Sequence, residues 1–275
     1  MAIHSARQVA LGRLRSLAVE ACGFSLEQID DEALLHKVDA GVRRLGGLFR
    51  YVEAVAADAT LRQAFVEALC THETRFFRHA PHFKFLQDDF LTAVAADMAS
   101  GKRPRRLRAW SVACSTGEEP VSIAISSCER LGEEVDVRVL GTDLSRHALE
   151  RASELRWPVE FVQHLPEALL ARYFLRGVGK EDGYVRPIVR VRNLITFEQL
   201  NLVAPPARAL PTFDVIFCRN VLIYFGAETR VKVATWLLQH LAPDGILVTG
   251  PSEGISHDVR GTRMVAPHVY CRSEA

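Results

Sequence analysis

The alternation of short apolar runs with helical stretches after residue 106 constrains the fold of this chain most strongly. Four apolar runs read as strands, at residues 107–112, 135–140, 194–200 and 213–218, and helical stretches are predicted at 118–131 and 227–241. Strands that alternate with helices form a parallel, doubly wound, Rossmann-like sheet with right-handed crossovers. Two last runs, 246–249 and 265–271, are close enough in sequence to pair as an antiparallel edge hairpin. The predicted fold class is α/β.

The first hundred residues show no such alternation and have helical periodicity instead. Helices are predicted around Leu11 to Ala21 and over residues 25–45, 49–56, 61–70 and 82–98. Glycines follow several of these segments, as they do at helix ends. We therefore predict an all-α N-terminal domain at residues 1–80, followed by a sheet domain at residues 81–275.

About fifty residues separate the second and third predicted strands, more than a crossover helix requires. Within them, residues 184–191 alternate as a strand does, and residues 176–183 have the glycine content of a hairpin loop. We predict a β subdomain inserted at about residues 150–193.

Composition excludes several classes of protein. The chain has 275 residues, 48% of them hydrophobic and 24% charged, and a net charge of +1, which is typical of a soluble globular protein and not of a nucleic-acid binder. It contains no run of roughly 18 apolar residues, and arginines interrupt any signal-peptide core near the N-terminus. Six cysteines form no CxxC pair, and His79 and His82 lack a third metal ligand. We expect a cytoplasmic protein with free thiols, no metal and no direct membrane insertion.

The loop after the first strand, residues 113–119, indicates the kind of ligand that the sheet binds. Ligands of doubly wound sheets lie at the carboxyl ends of the strands, near the point where the strand order reverses. This loop has one glycine where a dinucleotide-binding loop has three, and Glu118 and Glu119 occupy the first helical turn. Carboxylates there suit the helix dipole, but they also repel phosphate and attract a cationic ligand. The loop therefore favours a cofactor with an amino group and a sulfonium over NAD or ATP.

Asp143 follows the second predicted strand, 25 residues after Glu118. A carboxylate at this position can accept hydrogen bonds from both ribose hydroxyls of a nucleoside. The sequence Thr-Asp-Leu-Ser is also compatible with a helix N-cap, so Asp143 indicates a nucleoside site only together with the preceding loop.

Three longer motifs resemble those of one family. They are Thr-Arg-Phe-Phe-Arg at 74–78, Ser-Thr-Gly-Glu-Glu-Pro at 115–120 and Cys-Arg-Asn-Val-Leu-Ile-Tyr-Phe at 218–225. Together with Asp143 they resemble CheR-type chemotaxis receptor glutamate O-methyltransferases, and the match extends over nearly the whole chain, as far as Gly-Pro-Ser-Glu at 250–253.

The resemblance implies a class I methyltransferase sheet with a small N-terminal all-α domain and an inserted β subdomain. It implies transfer of a methyl group from S-adenosyl-L-methionine (SAM) to glutamate side chains of methyl-accepting chemotaxis receptors, with S-adenosyl-L-homocysteine as the product and without a metal. The implied partner is the cytoplasmic domain of the receptor, and in the family the β subdomain can also dock on the C-terminal tail of a receptor.

The resemblance also implies a set of site residues. The implied cofactor-binding residues are His72, Thr74, Arg78, Ala113, Gly117, Glu118, Asp143, Asn201, Leu202, Arg219 and Asn220. Tyr224 matches a tyrosine beside the transferred methyl, so Arg78 and Tyr224 are the catalytic candidates. His72 stands where relatives often have asparagine, and Pro251 stands where Gly-His-Ser-Glu is more usual.

The implied chemistry needs alignment more than acid–base catalysis. A glutamate carboxylate has a pKa of about 4.3 and is already ionised at neutral pH, so no general base is required. Arg78 is the first candidate for holding a carboxylate, of the substrate or of the cofactor, although a surface ion pair would also account for it. Tyr224 either bonds the substrate and closes the methyl site or is a core aromatic residue.

A basic helix face and two other functions complete the hypotheses. Lys37, Arg43 and Arg44 could face the acidic helices of a receptor, although a solvated face is the more common explanation. One alternative function is a signalling module that binds the cofactor without turnover, and the other is a carboxyl methyltransferase for a non-receptor protein.

Overall fold

The computed structural model describes residues 2–27, 29–206, 209–255 and 259–273. A group of helices comes first and is followed by a seven-stranded sheet and a smaller three-stranded sheet. This architecture confirms the predicted α/β class. None of the helices in the described ranges has both the length and the apolar character needed to cross a membrane.

Helices are the regular elements of the N-terminal segment up to Ala99, and a non-helical stretch at residues 70–79 separates the fourth helix from the fifth. The helices are α1 (Ala2–Cys22), α2 (Asp31–Arg44), α3 (Leu48–Ala57), α4 (Ala59–Leu69), α5 (Ala80–Phe85) and α6 (Thr92–Ala99), with a π-helical segment at Leu86–Leu91 between the last two. Asp30 and Asp58 begin α2 and α4 by accepting hydrogen bonds from the backbone N–H groups of Ala33 and Leu61 at 2.7 and 2.8 Å. Such side-chain caps stabilise helices because they satisfy otherwise unpaired donors.

The strands begin after α6. They are β1 (Arg106–Val112), β2 (Asp136–Asp143), β3 (Trp157–Pro158), β4 (Phe174–Arg176), β5 (Tyr184–Pro187), β6 (Ile195–Gln199), β7 (Phe213–Cys218), β8 (Leu241–Thr249), β9 (Thr262–Ala266) and β10 (Val269–Arg272). The large sheet has the order β6-β2-β1-β7-β8-β10-β9. Its first five strands are parallel, and β10 is antiparallel to both β8 and β9.

Helices cover the parallel strands on both faces. The remaining helices are α7 (Glu118–Leu131), α8 (Arg146–Glu154), α9 (Glu167–Tyr173), α10 (Val189–Arg192) and α11 (Ala227–Gln239). Alternate residues of β7 enter different cores, because successive side chains of a strand point to opposite faces. Ile216 packs with α1–α4 and α11, whereas Val215 and Phe217 pack with the α5–α7 side. The N-terminal helices thus share one core with a face of the sheet, and the domain division at residue 80 stays a prediction.

Two strand predictions are wrong in detail. The predicted strand 265–271 is two strands, β9 and β10, joined by a turn in which His268 has a φ of 60°. The predicted strand 184–191 ends at Pro187 and continues as α10, because proline cannot donate to a further ladder hydrogen bond. The insertion between β2 and β6 nevertheless contains an antiparallel sheet of order β3-β5-β4, with β4 and β5 joined as a hairpin.

The predicted basic face of α2 is smaller than expected. Arg43 and Arg44 are exposed, but the Lys37 ammonium lies half-buried and donates to the carbonyl of Leu69 at 3.2 Å. Lysine near a helix C-terminus satisfies a carbonyl that has no intrahelical partner. Lys37 therefore joins α2 to α4 and does not belong to an exposed basic face.

Two helical glycines with different surroundings test the packing of the N-terminal helices. A Cβ atom on Gly12 of α1 would have no neighbour within 4 Å, whereas one on Gly41 of α2 would lie 2.4 Å from the ring of the buried Tyr51. We expect Gly12→Ala to raise the free energy of unfolding by about 0.5–1 kcal/mol, because alanine loses less backbone entropy. Gly41→Ala should lower it by about 1–3 kcal/mol through overpacking. Urea denaturation with an unchanged m-value measures both, and equal effects would contradict this packing.

Candidate functional site

A cavity opens at the carboxyl ends of β1, β2 and β7, where the order of the parallel strands reverses around β1. It encloses about 870 Å³ of empty space, counting its open mouth. The strand ends and the loops after them form one wall. The ends of the N-terminal helices form the opposite wall with Cys22, Phe24 and Cys70. We call this space the sheet-edge cavity.

Ten of the twelve predicted site residues line the sheet-edge cavity. They are His72, Thr74, Arg78, Ala113, Asp143, Asn201, Leu202, Arg219, Asn220 and Tyr224. Gly117 and Glu118 are not among its lining residues. The fold therefore brings together residues from five separate parts of the chain, as a ligand site at a topological switch point requires.

Gly117 and Glu118 lie behind the wall of the sheet-edge cavity. Gly117 has a φ of 97°, and a Cβ atom there would lie 3.1 Å from the Ala152 side chain, so glycine lets this turn approach α8. The Glu118 carboxylate is fully buried and accepts a hydrogen bond from the Thr116 hydroxyl at 2.7 Å. Burial raises the pKa of Glu118, while hydrogen bonds from Thr116 and Trp157 lower it. In this structure Glu118 connects the β1 loop to the inserted subdomain.

Asp143 ends β2 with its carboxylate held by two backbone amides. The Ser115 N–H donates to Oδ2 at 2.8 Å, and the Ser145 N–H donates to Oδ1 at 2.9 Å. Burial raises the pKa of Asp143, whereas these amides and the nearby His72 lower it. Each carboxylate oxygen accepts more than one hydrogen bond, so the amides fix the group and still leave acceptor capacity.

A buried ion pair joins the loops after β1 and β7. The Nε and Nη2 atoms of Arg219 both lie 2.7 Å from Oε2 of Glu119, and the two side chains are 2% and 10% exposed. Ser111 donates to the other carboxylate oxygen at 2.7 Å. The Arg219 guanidinium also lies over the rings of Phe83 and Phe217, at 5.3 and 5.1 Å. Arg219 thus has a partner that compensates the cost of its burial, and this partner is Glu119 and not Glu118.

Arg78 is the more accessible arginine of the sheet-edge cavity. Its side chain is 21% exposed, and Nη1 donates to the Glu73 carbonyl at 2.6 Å. The Glu73 carboxylate lies 3.7 Å from Nη2 but is itself 82% exposed, so this surface pair contributes little. The Arg78 guanidinium is therefore held in place with donors left for a carboxylate in the cavity.

Two contacts fasten the N-terminal helices to the rim of the sheet-edge cavity. The Asn201 side-chain amide donates to the carbonyl of Ala21 at 2.8 Å. The Ser25 N–H donates to the Tyr224 carbonyl at 2.7 Å, and the rings of Phe24 and Tyr224 are 5.2 Å apart. The side chain of Asn201 is therefore occupied in part by this link. Tyr224 lines the cavity and also packs against another aromatic ring, and its place beside the transferred methyl stays a prediction.

His82 lies beside Arg219, with its Nδ1 atom 3.4 Å from Nη1 of the guanidinium, and two further histidines lie near His82. The ring of His82 is 5.9 Å from that of His79 and 6.3 Å from that of His268. Burial and the neighbouring Arg219 lower the pKa of His82 to about 4, so it is neutral at neutral pH. Across the described residues, no three His, Cys, Asp or Glu side chains are arranged to hold a metal ion.

Sequence analysis missed part of the sheet-edge cavity. It did not include Cys22, Phe24 and Cys70, because their approach depends on long-range packing of the helices on the sheet. Glu119 was interpreted as a helix-dipole residue or as a carboxylate that attracts a cationic ligand, and not as the partner of Arg219. The sequence did contain a signal for the role of Glu119. A buried arginine directly after a strand requires a partner, and the first turn of the helix after β1 offers one.

Comparison with known proteins agrees with this geometry. Residues 72–271 match the family model described as CheR methyltransferase, SAM binding domain. The chemotaxis protein methyltransferase 2 of Pseudomonas aeruginosa is 34% identical over 261 residues, which are 94% of this chain and 91% of that protein. The chemotaxis protein methyltransferase of Escherichia coli is 37% identical over 213 residues, or 77% and 71%. That of Salmonella typhimurium is 33% identical over 267 residues, or 95% and 89%.

The family model covers well over half of the chain, and the relatives align over most of their own length. The resemblance seen in the sequence is thereby confirmed, and so is the class I fold. The chain belongs to the CheR family of SAM-dependent methyltransferases.

Proposed function

We propose that the protein transfers a methyl group from SAM to glutamate side chains of methyl-accepting chemotaxis receptors. The products are glutamyl methyl esters and S-adenosyl-L-homocysteine. One observation supports this most directly: Arg78 and Tyr224, the candidates for handling substrate, line the same cavity as the fixed carboxylate of Asp143. The names of the relatives, which are chemotaxis protein methyltransferases, agree with this proposal.

The sheet-edge cavity suits a nucleoside joined to an amino acid. Its lining includes the apolar side chains of Phe24 and Leu200, and an adenine ring requires apolar contacts of this kind. Asp143 supplies acceptors for ribose hydroxyls, and Arg78 supplies donors for a carboxylate. The Ser115 hydroxyl is buried beside Asp143 and has no hydrogen-bond partner among the described residues, which leaves a polar atom for a ligand to satisfy.

The residues of this chain need to bind SAM and the substrate glutamate and to orient them for methyl transfer. When bound, SAM supplies a methyl group on a positively charged sulfur. The substrate glutamate is ionised at neutral pH, so no residue has to remove a proton from it. Arg78 can hold a carboxylate in a bidentate geometry, and Tyr224 lines the same cavity. Orientation of this kind contributes up to about 7–11 kcal/mol to catalysis.

Two surfaces are the candidates for contact with a receptor. Arg43 and Arg44 end α2 with exposed side chains, and Arg43 pairs with Asp39 on the same helix. The inserted subdomain exposes Leu175 and Val178 beside β4, the edge strand of its sheet. We propose that the basic end of α2 meets acidic receptor helices and that the inserted subdomain is available to a receptor tail.

Cofactor binding should depend on the Asp143 carboxylate. In Asp143→Asn the amide places N–H donors against the N–H of Ser115 or Ser145. We expect the Kd for S-adenosyl-L-homocysteine to rise about 10- to 100-fold, the loss expected for hydrogen bonds to a charged group. Asp136→Asn is the matched control, because Asp136 lies at the other end of β2 and pairs with Arg108. Isothermal titration calorimetry measures both, and equal Kd values for the two variants would refute this role.

Receptor methylation tests the proposed function itself. Purified protein is given methyl-labelled SAM with cytoplasmic chemoreceptor fragments from the same organism, and base-labile label on the receptor is counted. We expect Arg78→Ala to reduce kcat/KM by about 100-fold or more, because a group that aligns the reactants is removed. Arg75→Ala is the matched control, since Arg75 is an exposed arginine of the same segment and does not line the cavity.

The outcomes of this assay separate the alternatives. Label on the receptor that depends on Arg78 and not on Arg75 supports the proposal. If the cofactor binds and no receptor is labelled, the glutamate substrate is wrong. A different protein substrate or a binding function without turnover would then take its place.

The basic end of α2 has its own test. Arg43→Glu/Arg44→Glu should raise KM for the receptor about tenfold at low salt, and less at high salt, because charge complementarity mainly accelerates encounter. The Kd for the cofactor should not change. Arg105→Glu/Arg106→Glu is the control, a second pair of neighbouring arginines, at the amino end of β1 and away from the cavity. Unchanged receptor methylation in the α2 variant would remove the hypothesis.

A further inference from the structure

We propose that Glu253 is a positioning residue for methyl transfer. Its buried carboxylate holds the segment that follows β7, residues 219–224, which we call the β7 loop. This loop supplies Arg219, Asn220 and Tyr224 to the sheet-edge cavity. Glu253 does not line that cavity, so it acts through the β7 loop. The inference rests on the proposed function and adds a residue to its machinery.

Three backbone amides converge on the Glu253 carboxylate. Oε2 accepts from the N–H of Asn220 and from the N–H of Gly250, each at 2.6 Å. Oε1 accepts from the N–H of Ile223 at 3.2 Å. Two of these donors belong to the β7 loop, and the third belongs to the segment that follows β8. The carboxylate therefore connects the ends of two adjacent parallel strands.

Burial makes this connection important for the loop. Glu253 is 1% exposed, and among the described residues its carboxylate accepts hydrogen bonds from backbone amides and not from a side-chain cation. A buried carboxylate is costly unless hydrogen bonds stabilise its charge, and backbone amides can do so. Removing it would in turn leave three N–H groups without their acceptor. Because an unbonded carboxylate and unbonded N–H groups would each cost free energy, the Glu253 carboxylate and the β7 loop stay in one arrangement.

The local backbone shows how closely the two segments fit. Asn220 has a φ of 61°, a left-handed conformation that is unfavourable for most residues and needs support from its surroundings. A Cβ atom on Gly250 would lie 2.3 Å from Oε2 of Glu253 and 3.1 Å from the backbone nitrogen of Asn220. Only glycine at position 250 admits both the carboxylate and the β7 loop.

A shift of the β7 loop would be transmitted to the reacting groups. Ile223 and Tyr224 belong to one 3₁₀ turn, Leu222–Tyr224, and Glu253 holds the N–H of Ile223. Arg219 precedes Asn220, whose N–H is held by the other carboxylate oxygen. Displacement of aligned groups by about 1 Å can lower a rate 100-fold. Glu253 therefore fixes the relative position of Arg219 and Tyr224.

Glu253→Gln tests the proposal because it preserves size and removes charge and one acceptor. We expect kcat for receptor methylation at saturating SAM to fall about 30- to 100-fold per folded, cofactor-loaded molecule. Hydrogen exchange at the amides of Asn220 and Ile223 should become faster. The loaded fraction is counted from the stoichiometry of S-adenosyl-L-homocysteine binding.

Asp214→Asn is the matched control. Asp214 lies at the opposite end of β7, accepts from the N–H of Arg108 at 2.8 Å and pairs with Arg103. We expect Asp214→Asn to lower the free energy of unfolding and to leave kcat unchanged, as expected when a purely structural carboxylate is removed. A kcat for Glu253→Gln equal to that of Asp214→Asn, or unchanged exchange at Asn220 and Ile223, would overturn the proposal.

Two further results keep the test decisive. If Glu253→Gln does not fold, Gly250→Ala replaces it, because its methyl group displaces the same carboxylate, and an unchanged kcat in that variant overturns the proposal. If the wild-type protein binds SAM and labels no receptor, the proposed function fails. The hydrogen-exchange comparison then decides the role of Glu253 alone.

Discussion

The ion pair between Glu119 and Arg219 is the interaction on which the cavity most depends. It links the first turn of α7, which follows β1, to the residue that follows β7. These two strands are neighbours in the sheet, so the pair fixes the spacing of the loops at their carboxyl ends. Removing one partner of a buried ion pair leaves the other charge buried without compensation. Such a substitution therefore strongly lowers the free energy of unfolding.

Backbone amides hold the other carboxylates of the site. Asp143 is fixed by the amides of Ser115 and Ser145, and Glu253 by those of three loop residues. Each carboxylate ties together segments that are distant in sequence and adjacent at the sheet edge. The shape of the cavity therefore depends as much on carboxylates that accept hydrogen bonds from its loops as on the charged side chains that line it.

The sequence predicted the parts of the fold that depend on local hydrophobic patterns. The boundaries of β7 were predicted at Phe213–Cys218, because a buried central strand is a continuous apolar run. The turn at His268 was missed although Pro267 precedes it, and a proline within an apolar run argues against one continuous strand. Most of the residues that motifs indicated line the sheet-edge cavity, whereas Glu118, which the motifs also indicated, is buried and does not line it. The wall formed by Cys22 and Cys70 was out of reach, because helix docking joins residues far apart in the chain.

The contact between Asn201 and Ala21 couples ligand occupancy to the docking of α1. It spans 180 positions of sequence and lies at the rim of a cavity whose two walls belong to different parts of the fold. A ligand that touches both walls binds only the docked arrangement, so by thermodynamic linkage it stabilises docking by RT ln(1 + [L]/Kd). When SAM binds in the cavity as proposed, the resistance of the N-terminal helices to local unfolding rises with the logarithm of the cofactor concentration above Kd, and their protease sensitivity falls as the cavity fills.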